Sequence, residues 1–341
     1  MPLRLGIVGV TGLVGEKIIE SLKLLNVKYN YLGVFASKQS TGKVIKVNDE
    51  VFVIDNFELE YMKDYDYLIL AVENDVARSI IEYKKLMKLS TVIIDNSSEY
   101  RLDEDIPLIV PEINISEVNK SQVIANPNCS TTMLVMLLAP LSKLGTIKKV
   151  NVSTYQAASG AGKKGLDELL QQTKECVEGK EITTDFWKKQ YVFNVFSHNS
   201  KITDNYYNQE EMKMVQETKK ILNNYQMIIN PTCVRVPTLT SHCLSVNVEF
   251  KSPIEMHLIY EALESFPGLV IEENHFTNSF PEPVKTSNKT DIYIGRIRPE
   301  LNEDEMFNYK SWNFFVSGDQ LLKGAAYNSV QILKYLLTKA S

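Results

Sequence analysis

The alternation of apolar and polar residues changes character once along the chain, near residue 129. Before that point short apolar runs alternate with segments of helical spacing. Leu3 to Val8 predicts a strand, Val14 to Leu25 a helix and Tyr31 to Ala36 a second strand. Tyr67 to Val72 and Thr91 to Ile94 predict two buried strands on either side of an amphipathic stretch, Val76 to Leu89. Buried strands separated by helices read as a parallel sheet covered by helices. Beyond Cys129 the pattern predicts a helix over Ser130 to Leu144, a strand over Val150 to Tyr155 and a charged helix over Glu210 to Leu222. Thr232 to Val236, Cys243 to Phe250, Asp291 to Ile297 and Trp312 to Ser317 alternate as strands do, and 180–208, polar and aromatic, reads as loops. This second half predicts an α+β unit with a mainly antiparallel or mixed sheet. Gln320 to Leu337, apolar at helical spacing, is expected to return to the first half. The expected fold class is therefore α/β, with a first domain over 1–128 completed by a C-terminal helix over 320–341, and a second domain over 129–319.

Length and composition narrow the function. The chain has 341 residues, 44% apolar and 23% charged, which suits two globular domains and excludes a fibre or a disordered chain. A net charge of −5 argues against nucleic acid as the main ligand. The four cysteines (Cys129, Cys176, Cys233, Cys243) include no C-x-x-C pair, so neither a disulfide scaffold nor a zinc ribbon is expected, and no metal is. The first residues run into a strand and a glycine turn rather than a signal-peptide pattern, and the longest apolar run, Met133 to Leu141, is too short for a bilayer. The expected location is cytoplasmic, without a membrane or nucleic-acid partner.

The turn after the first strand reads Gly9-Val10-Thr11-Gly12-Leu13-Val14-Gly15. Glycines at this spacing, between strand and helix, let backbone N–H groups approach a pyrophosphate at the positive end of the helix. No acidic residue occurs between Glu20 and Asp49, where an NAD site places a carboxylate for the ribose 2′-hydroxyl. The end of the second strand instead carries Ser37, Lys38, Ser40 and Thr41, which suits a 2′-phosphate and hence NADP.

Cys129 follows Asn126-Pro127-Asn128 and opens an apolar helix, where the helix dipole favours a thiolate. The other three cysteines lack that setting. Of four histidines, His257 lies in a helical run and His275 in a polar loop; His198 and His242 remain candidates for a base. His242 follows Arg235-Val-Pro-Thr across a turn, so that a guanidinium and an imidazole could face one carboxylate substrate.

Taken together, Gly9-x-x-Gly12-x-x-Gly15, Asn126-Pro-Asn-Cys129-Ser-Thr, Tyr155-Gln156-Ala-Ala-Ser159-Gly160-Ala-Gly162, Glu210-Glu-Met-Lys213, Arg235-Val-Pro-Thr with His242, and Lys323-Gly-Ala-Ala resemble the aspartate-semialdehyde dehydrogenases, in family order from end to end. The resemblance implies a Rossmann-type NADP-binding domain joined to an α+β catalytic and dimerisation domain, assembled as a homodimer or a dimer of dimers. It implies reduction of aspartyl 4-phosphate by NADPH to aspartate 4-semialdehyde and phosphate, through a cysteine thioacyl intermediate, in lysine, methionine and threonine biosynthesis. Carried over residue by residue, Cys129 is the nucleophile, His242 the acid/base and Gln156 orients the substrate. Arg235 binds the α-carboxylate and Glu210 the amino group, while Arg101, Asn128 and Lys213 hold the phosphate. The glycine turn, Ser159, Gly160 and Gln320 attend the cofactor. Three positions depart from the family pattern: Gln39 replaces a frequent arginine, Val72-Glu73-Asn74-Asp75 replaces a glycine-rich stretch, and Gln320 an asparagine. A related reductase acting on N-acetyl-glutamyl phosphate or malonyl-CoA is the alternative, disfavoured by the asparagine before Cys129. A non-catalytic nucleotide-binding regulator is disfavoured because both Cys129 and His242 are kept.

Overall fold

The computed structural model describes residues 3–47, 50–118 and 121–340. Asp49, which closes the stretch without acidic residues, lies outside them. The chain divides into two compact units, 1–128 with 325–341, and 129–324.

The first unit holds β1 (Arg4–Val8), α1 (Leu13–Leu24), β2 (Tyr31–Ala36), the hairpin β3 (Val44–Val47) and β4 (Glu50–Val53), β5 (Asp55–Asn56), β6 (Tyr67–Leu70), α2 (Asn74–Met87), β7 (Val92–Asp95), α3 (Pro111–Asn114) and β8 (Val123–Ala125). Six strands form a parallel sheet in the order β5-β2-β1-β6-β7-β8. That order reverses direction beside β1, which places the β1–α1 turn at the crevice where such sheets bind nucleotides. The expected strands and helices are present with ends moved by one to two residues; the β3–β4 hairpin and the short β5 and β8 were not read from the pattern. The sheet is buried on both faces, with Leu5, Ile7, Leu68, Ile69, Ile93 and Ile94 all fully enclosed, which is why these strands read as unbroken apolar runs.

The second unit opens with α4 (Cys129–Ser142) and β9 (Ile147–Gln156), then α5 (Gly162–Val177), β10 (Phe196–Ser197), α6 (Gln209–Ile221), β11 (Ile228–Arg235), β12 (His242–Phe250), α7 (Met256–Glu264), β13 (Leu269–Ile271), α8 (Pro283–Thr286), β14 (Ile292–Leu301) and β15 (Phe307–Gly318). Its sheet runs β10-β11-β9-β12-β15-β14-β13 and is mixed: β9 and β11 are parallel, as are β13 and β14, and the other pairs antiparallel. On one face, rows of apolar residues cross the strands in register. Pro231, Val152, Val246 and Phe314 form one row and Ile229, Val150, Val248 and Trp312 the next. Helix α4 packs on the core and is enclosed all round, so it carries no polar stripe. The opposite face carries an amide row, Asn230, Asn151, Asn247 and Asn313, hydrogen-bonded strand to strand at 3.1–3.4 Å. These side chains pin the register from the polar side as the apolar rows do from the core.

Helix α9 (Tyr327–Ala340) belongs to the first unit and packs on α1, α3 and β7. Gln320 to Gly324 stay with the second unit, so the division falls later than the reading at 319. The reason is local bonding: Gln320 Nε2 donates to Ser159 Oγ, and Asp319 Oδ1 accepts from the Leu321 amide at 2.8 Å.

Two glycines make the β1–α1 turn possible. Gly9 has φ +96°, and a Cβ there would lie 2.1 Å from the Ala71 carbonyl oxygen; a Cβ on Gly15 would lie 2.3 Å from the Gly9 carbonyl oxygen. Both obstacles are backbone. Gly15→Ala is therefore expected to destabilise the protein by about 1–3 kcal/mol, the usual cost of overpacking. A denaturant midpoint equal to that of the unaltered protein would contradict this account of the turn.

Candidate active site

In the first unit, the N-terminus of α1 has no side-chain cap, so its leading N–H groups at Leu13, Val14 and Gly15 have neither a helical partner nor a cap. The Gly9 and Val10 amides both donate to the Phe35 carbonyl, at 2.8 and 3.0 Å, which ties the turn to the end of β2. Just beyond β2, Ser37 leads into a 3-10 turn over Lys38–Ser40, followed by Thr41. The glycine turn and the Ser37–Thr41 segment therefore lie on neighbouring strand ends. Arg101 is buried and donates from Nη2 to the Asn96 carbonyl at 2.8 Å; Asn128, also buried, ends this part of the unit.

The second unit gathers Cys129, Gln156, Ser159, Gly160, Glu210, Lys213, Arg235, His242 and Gln320. Strand register does most of this. Arg235 pairs with Gln156 across β11 and β9, and Tyr155 with Cys243 across β9 and β12, so His242 stands beside the end of β9. The buried face that is apolar in its lower rows thus ends in a polar row of guanidinium, carboxamide and imidazole. Helix α6 adds Glu210. Its first turn is capped by a reciprocal Asn208–Glu211 pair, and the Glu210 amide donates to Ser200 Oγ at 3.1 Å. The Glu210 carboxylate then accepts from Gln156 Nε2 at 3.1 Å and from Lys213 Nζ at 3.3 Å. Cys129 is the first residue of α4, and its sulfur is close enough to act electrostatically on both Arg235 and Cys233.

His242 is fully buried. Its Nδ1 accepts the Ala157 amide at 3.1 Å, so the neutral ring carries its proton on Nε2, and Nε2 has no hydrogen-bond partner among the described residues. Burial, and then the Arg235 charge, pull its pKa down to about 3. The ring is a neutral donor aimed at something the chain itself does not supply. Gly160 leaves the space open: a Cβ there would come within 2.9 Å of His242 Cε1 and 3.0 Å of Arg235 Nη1. Gly160 therefore lies against the polar end of the strands, beside the imidazole. Gln320 Oε1 is likewise buried without a partner, while its Nε2 donates to Ser159. An orphaned acceptor of this kind fits an N–H donor, and, taken by itself, the first unit's uncapped α1 N-terminus fits the pyrophosphate of a dinucleotide.

Three further groups lie near this row: His198, a candidate base in the sequence, and Trp187 and Gly324, which carry no role of their own from the sequence. His198 bonds through Nδ1 to Ser200 Oγ at 3.1 Å, and burial with the Arg235 charge lowers its pKa to about 4. Trp187 lies under Arg235, with 5.5 Å from Cζ to the ring centroid. Gly324 lets its segment pass the cysteine, because a Cβ would fall 2.8 Å from Cys129 Cβ. The sequence signal for Gly324 is the Lys323-Gly-Ala-Ala string, which gives no reason for the glycine by itself. The two buried thiols are inert by setting: burial raises the pKa of Cys233 strongly and that of Cys243 to about 11.

Family models match both parts of the chain: a semialdehyde dehydrogenase NAD-binding domain over residues 4–121, and a semialdehyde dehydrogenase dimerisation domain over 138–323. The aspartate-semialdehyde dehydrogenase of Prochlorococcus marinus is 38% identical over 99% of this chain and 97% of its own length. The crystal structure of aspartate semialdehyde dehydrogenase II from Vibrio cholerae is 34% identical with TM-score 0.91, and the same enzyme in complex with ASA has TM-score 0.90; each covers 99% of both chains. No described helix is long and apolar enough to cross a membrane.

The buried histidine has a consequence for stability. An unfolded histidine titrates near 6.5, so between about pH 3 and 6.5 the unfolded state binds the proton that folded His242 refuses. Stability therefore falls as pH drops through that window and is unaffected by this group above it. At pH 5 the loss from His242 is about 2 kcal/mol, and His198 acts in the same direction. Denaturation midpoints from pH 7.5 to 5 should show the fall, and a shallower one in His242→Gln. Equal slopes for the two proteins would contradict the burial of a neutral imidazole.

Proposed function

The chain belongs to the aspartate-semialdehyde dehydrogenase family, and we propose that Cys129, His242 and the residues around them carry out that reaction, with NADP as cofactor and a homodimer or dimer of dimers as the working form in the cytoplasm. The reaction is the reductive dephosphorylation of aspartyl 4-phosphate to aspartate 4-semialdehyde, a step of amino-acid biosynthesis. The single observation that carries the residue assignment is the polar row ending one buried sheet face: Arg235 and Gln156 in register and His242 beside them, with Cys129 at the start of the helix packed on that face.

In this reading the Cys129 sulfur attacks the acyl carbon. The carbon–sulfur bond forms, the bond to the phosphate oxygen breaks, and phosphate leaves with the electron pair and takes up a proton. Arg101, Asn128 and Lys213 hold that phosphate. Arg235 holds the α-carboxylate and Glu210 the amino group, with Gln156 fixed between Glu210 and Thr154 Oγ1 at 3.1 Å from each. The nicotinamide supplies the hydride that reduces the thioester carbon. His242 Nε2–H donates to the substrate oxygen while charge develops on it; the tetrahedral adduct then collapses to aldehyde and Cys129 thiolate. The unpartnered, buried Nε2 supports this role, since it needs no reorganisation to accept a new partner.

The test of the reaction is phosphate-dependent NADP reduction with aspartate semialdehyde, run beside N-acetylglutamate semialdehyde. A faster rate with the acetylated substrate would assign the chain to the alternative reductase. His242→Asn should slow turnover by about 10²–10⁴ with little change in cofactor affinity; an unchanged rate would remove His242 from the chemistry.

The cofactor preference rests on Ser37, Lys38, Ser40 and Thr41 beside the glycine turn, with no carboxylate among them. kcat/KM should favour NADP over NAD, and Lys38→Glu should weaken NADP more than NAD. A preference for NAD in the unaltered protein would contradict this.

A further inference from the structure

Arg235 is buried; its hydrogen bonds and ring contact are with three neutral groups of its own unit, while the Glu210 carboxylate acts on it electrostatically without a hydrogen bond between them. Nη1 donates to the Ala157 carbonyl at 3.1 Å, Nε reaches Asn199 Oδ1 at 3.4 Å, and the Trp187 ring lies against it. A buried cation held by neutral partners keeps its attraction for an anion. Trp187 is itself fixed on every side. Its indole N–H donates to the Gly165 carbonyl at 2.9 Å and its amide to Glu168 Oε1 at 2.9 Å. Tyr191 meets it edge-on at 4.6 Å and donates from its hydroxyl at 2.7 Å to the carbonyl of Val236, the residue after Arg235. The aromatic cluster therefore grips both the guanidinium and the backbone beside it.

We propose that Trp187 is a positioning residue for substrate selection: it orients the Arg235 guanidinium so that its free edge meets the substrate carboxylate as a two-pronged donor. This rests on the reading of Arg235 as the carboxylate-binding residue. An aspartate in the place of Trp187 would orient the guanidinium but neutralise it and occupy two of its donors. An aromatic face restrains the plane and leaves the charge and the outer N–H groups to the ligand. The consequence falls on binding of carboxylate-bearing substrates, not on hydride transfer.

The test uses the full-length enzyme with aspartate semialdehyde, phosphate and NADP, and compares Trp187→Phe, Trp187→Leu, Arg235→Lys and the double variant Trp187→Leu/Arg235→Lys. Trp187→Leu should raise the KM for the semialdehyde about 5- to 30-fold, with kcat and the KM for NADP within about twofold. Trp187→Phe should restore most of that loss. In the Arg235→Lys background Trp187→Leu should add little, because its effect passes through the guanidinium. Full additivity, equal losses in the Phe and Leu variants, or a parallel rise in the KM for NADP would overturn the proposal. Arg235→Lys raising KM while Trp187→Leu does not would sink the role of Trp187 alone; an unchanged KM in Arg235→Lys would sink the carboxylate reading and this inference with it. Should Trp187→Leu fail to fold, increasingly fluorinated tryptophans, incorporated in a Trp312→Phe background, drain the ring face of charge with little change of shape. The logarithm of KM should then rise with fluorination, and a flat series would overturn the proposal.

Discussion

Backbone pairing among β11, β9 and β12 is the constraint on which the second unit's polar row depends. Side chains alternate along a strand, so one residue of slip would send every member of the polar row to the opposite face. Register places Arg235 against Gln156 and brings His242 beside them. The apolar rows below, such as Val152 with Val246 and Phe314, hold that register from the core, and the amide row through Asn151 and Asn247 holds it from the other face. The site is therefore an end of the core rather than an attachment to it. The helices then add what strands cannot: α4 begins at Cys129, and α6 delivers Glu210 from a fully capped first turn.

Burial sets the chemical state of these groups. A neutral imidazole with its proton on Nε2, a guanidinium hydrogen-bonded to neutral groups and a carboxylate bonded to Gln156 and Lys213 are each held before any ligand arrives. Such preorganisation is what a developing negative charge on the substrate requires. It also carries a cost in acid, because the same enclosure that keeps His242 neutral opposes its protonation.

Much of this was legible in the sequence because it is local. The glycine turn, the run of apolar strands, the cysteine at a helix start and the string through Arg235 to His242 each announce themselves over a few residues. The parallel pairing of β9 with β11 was not legible, because it depends on partners far apart in the chain. Nor was α5, because the pattern assigned no element between Gln156 and 180. The segment 180–208 has little regular structure, as its composition suggests, yet Trp187 and Tyr191 form a buried aromatic pair within it, with the half-buried Phe196 packed against them. Their purpose appears only where Arg235 is seen against them. Gly324 was hidden for the same reason: its side chain is missing because Cys129 occupies the space.

The central claim is that Cys129, placed at the end of that buried face, bonds covalently to the substrate. Enzyme mixed with aspartate semialdehyde and NADP in the absence of phosphate, quenched and digested, tests it by mass spectrometry. The account predicts an aspartyl thioester on the Cys129 peptide, and none in Cys129→Ala, which should still bind the nucleotide. An adduct on Cys176, Cys233 or Cys243, or turnover in Cys129→Ala, would contradict it.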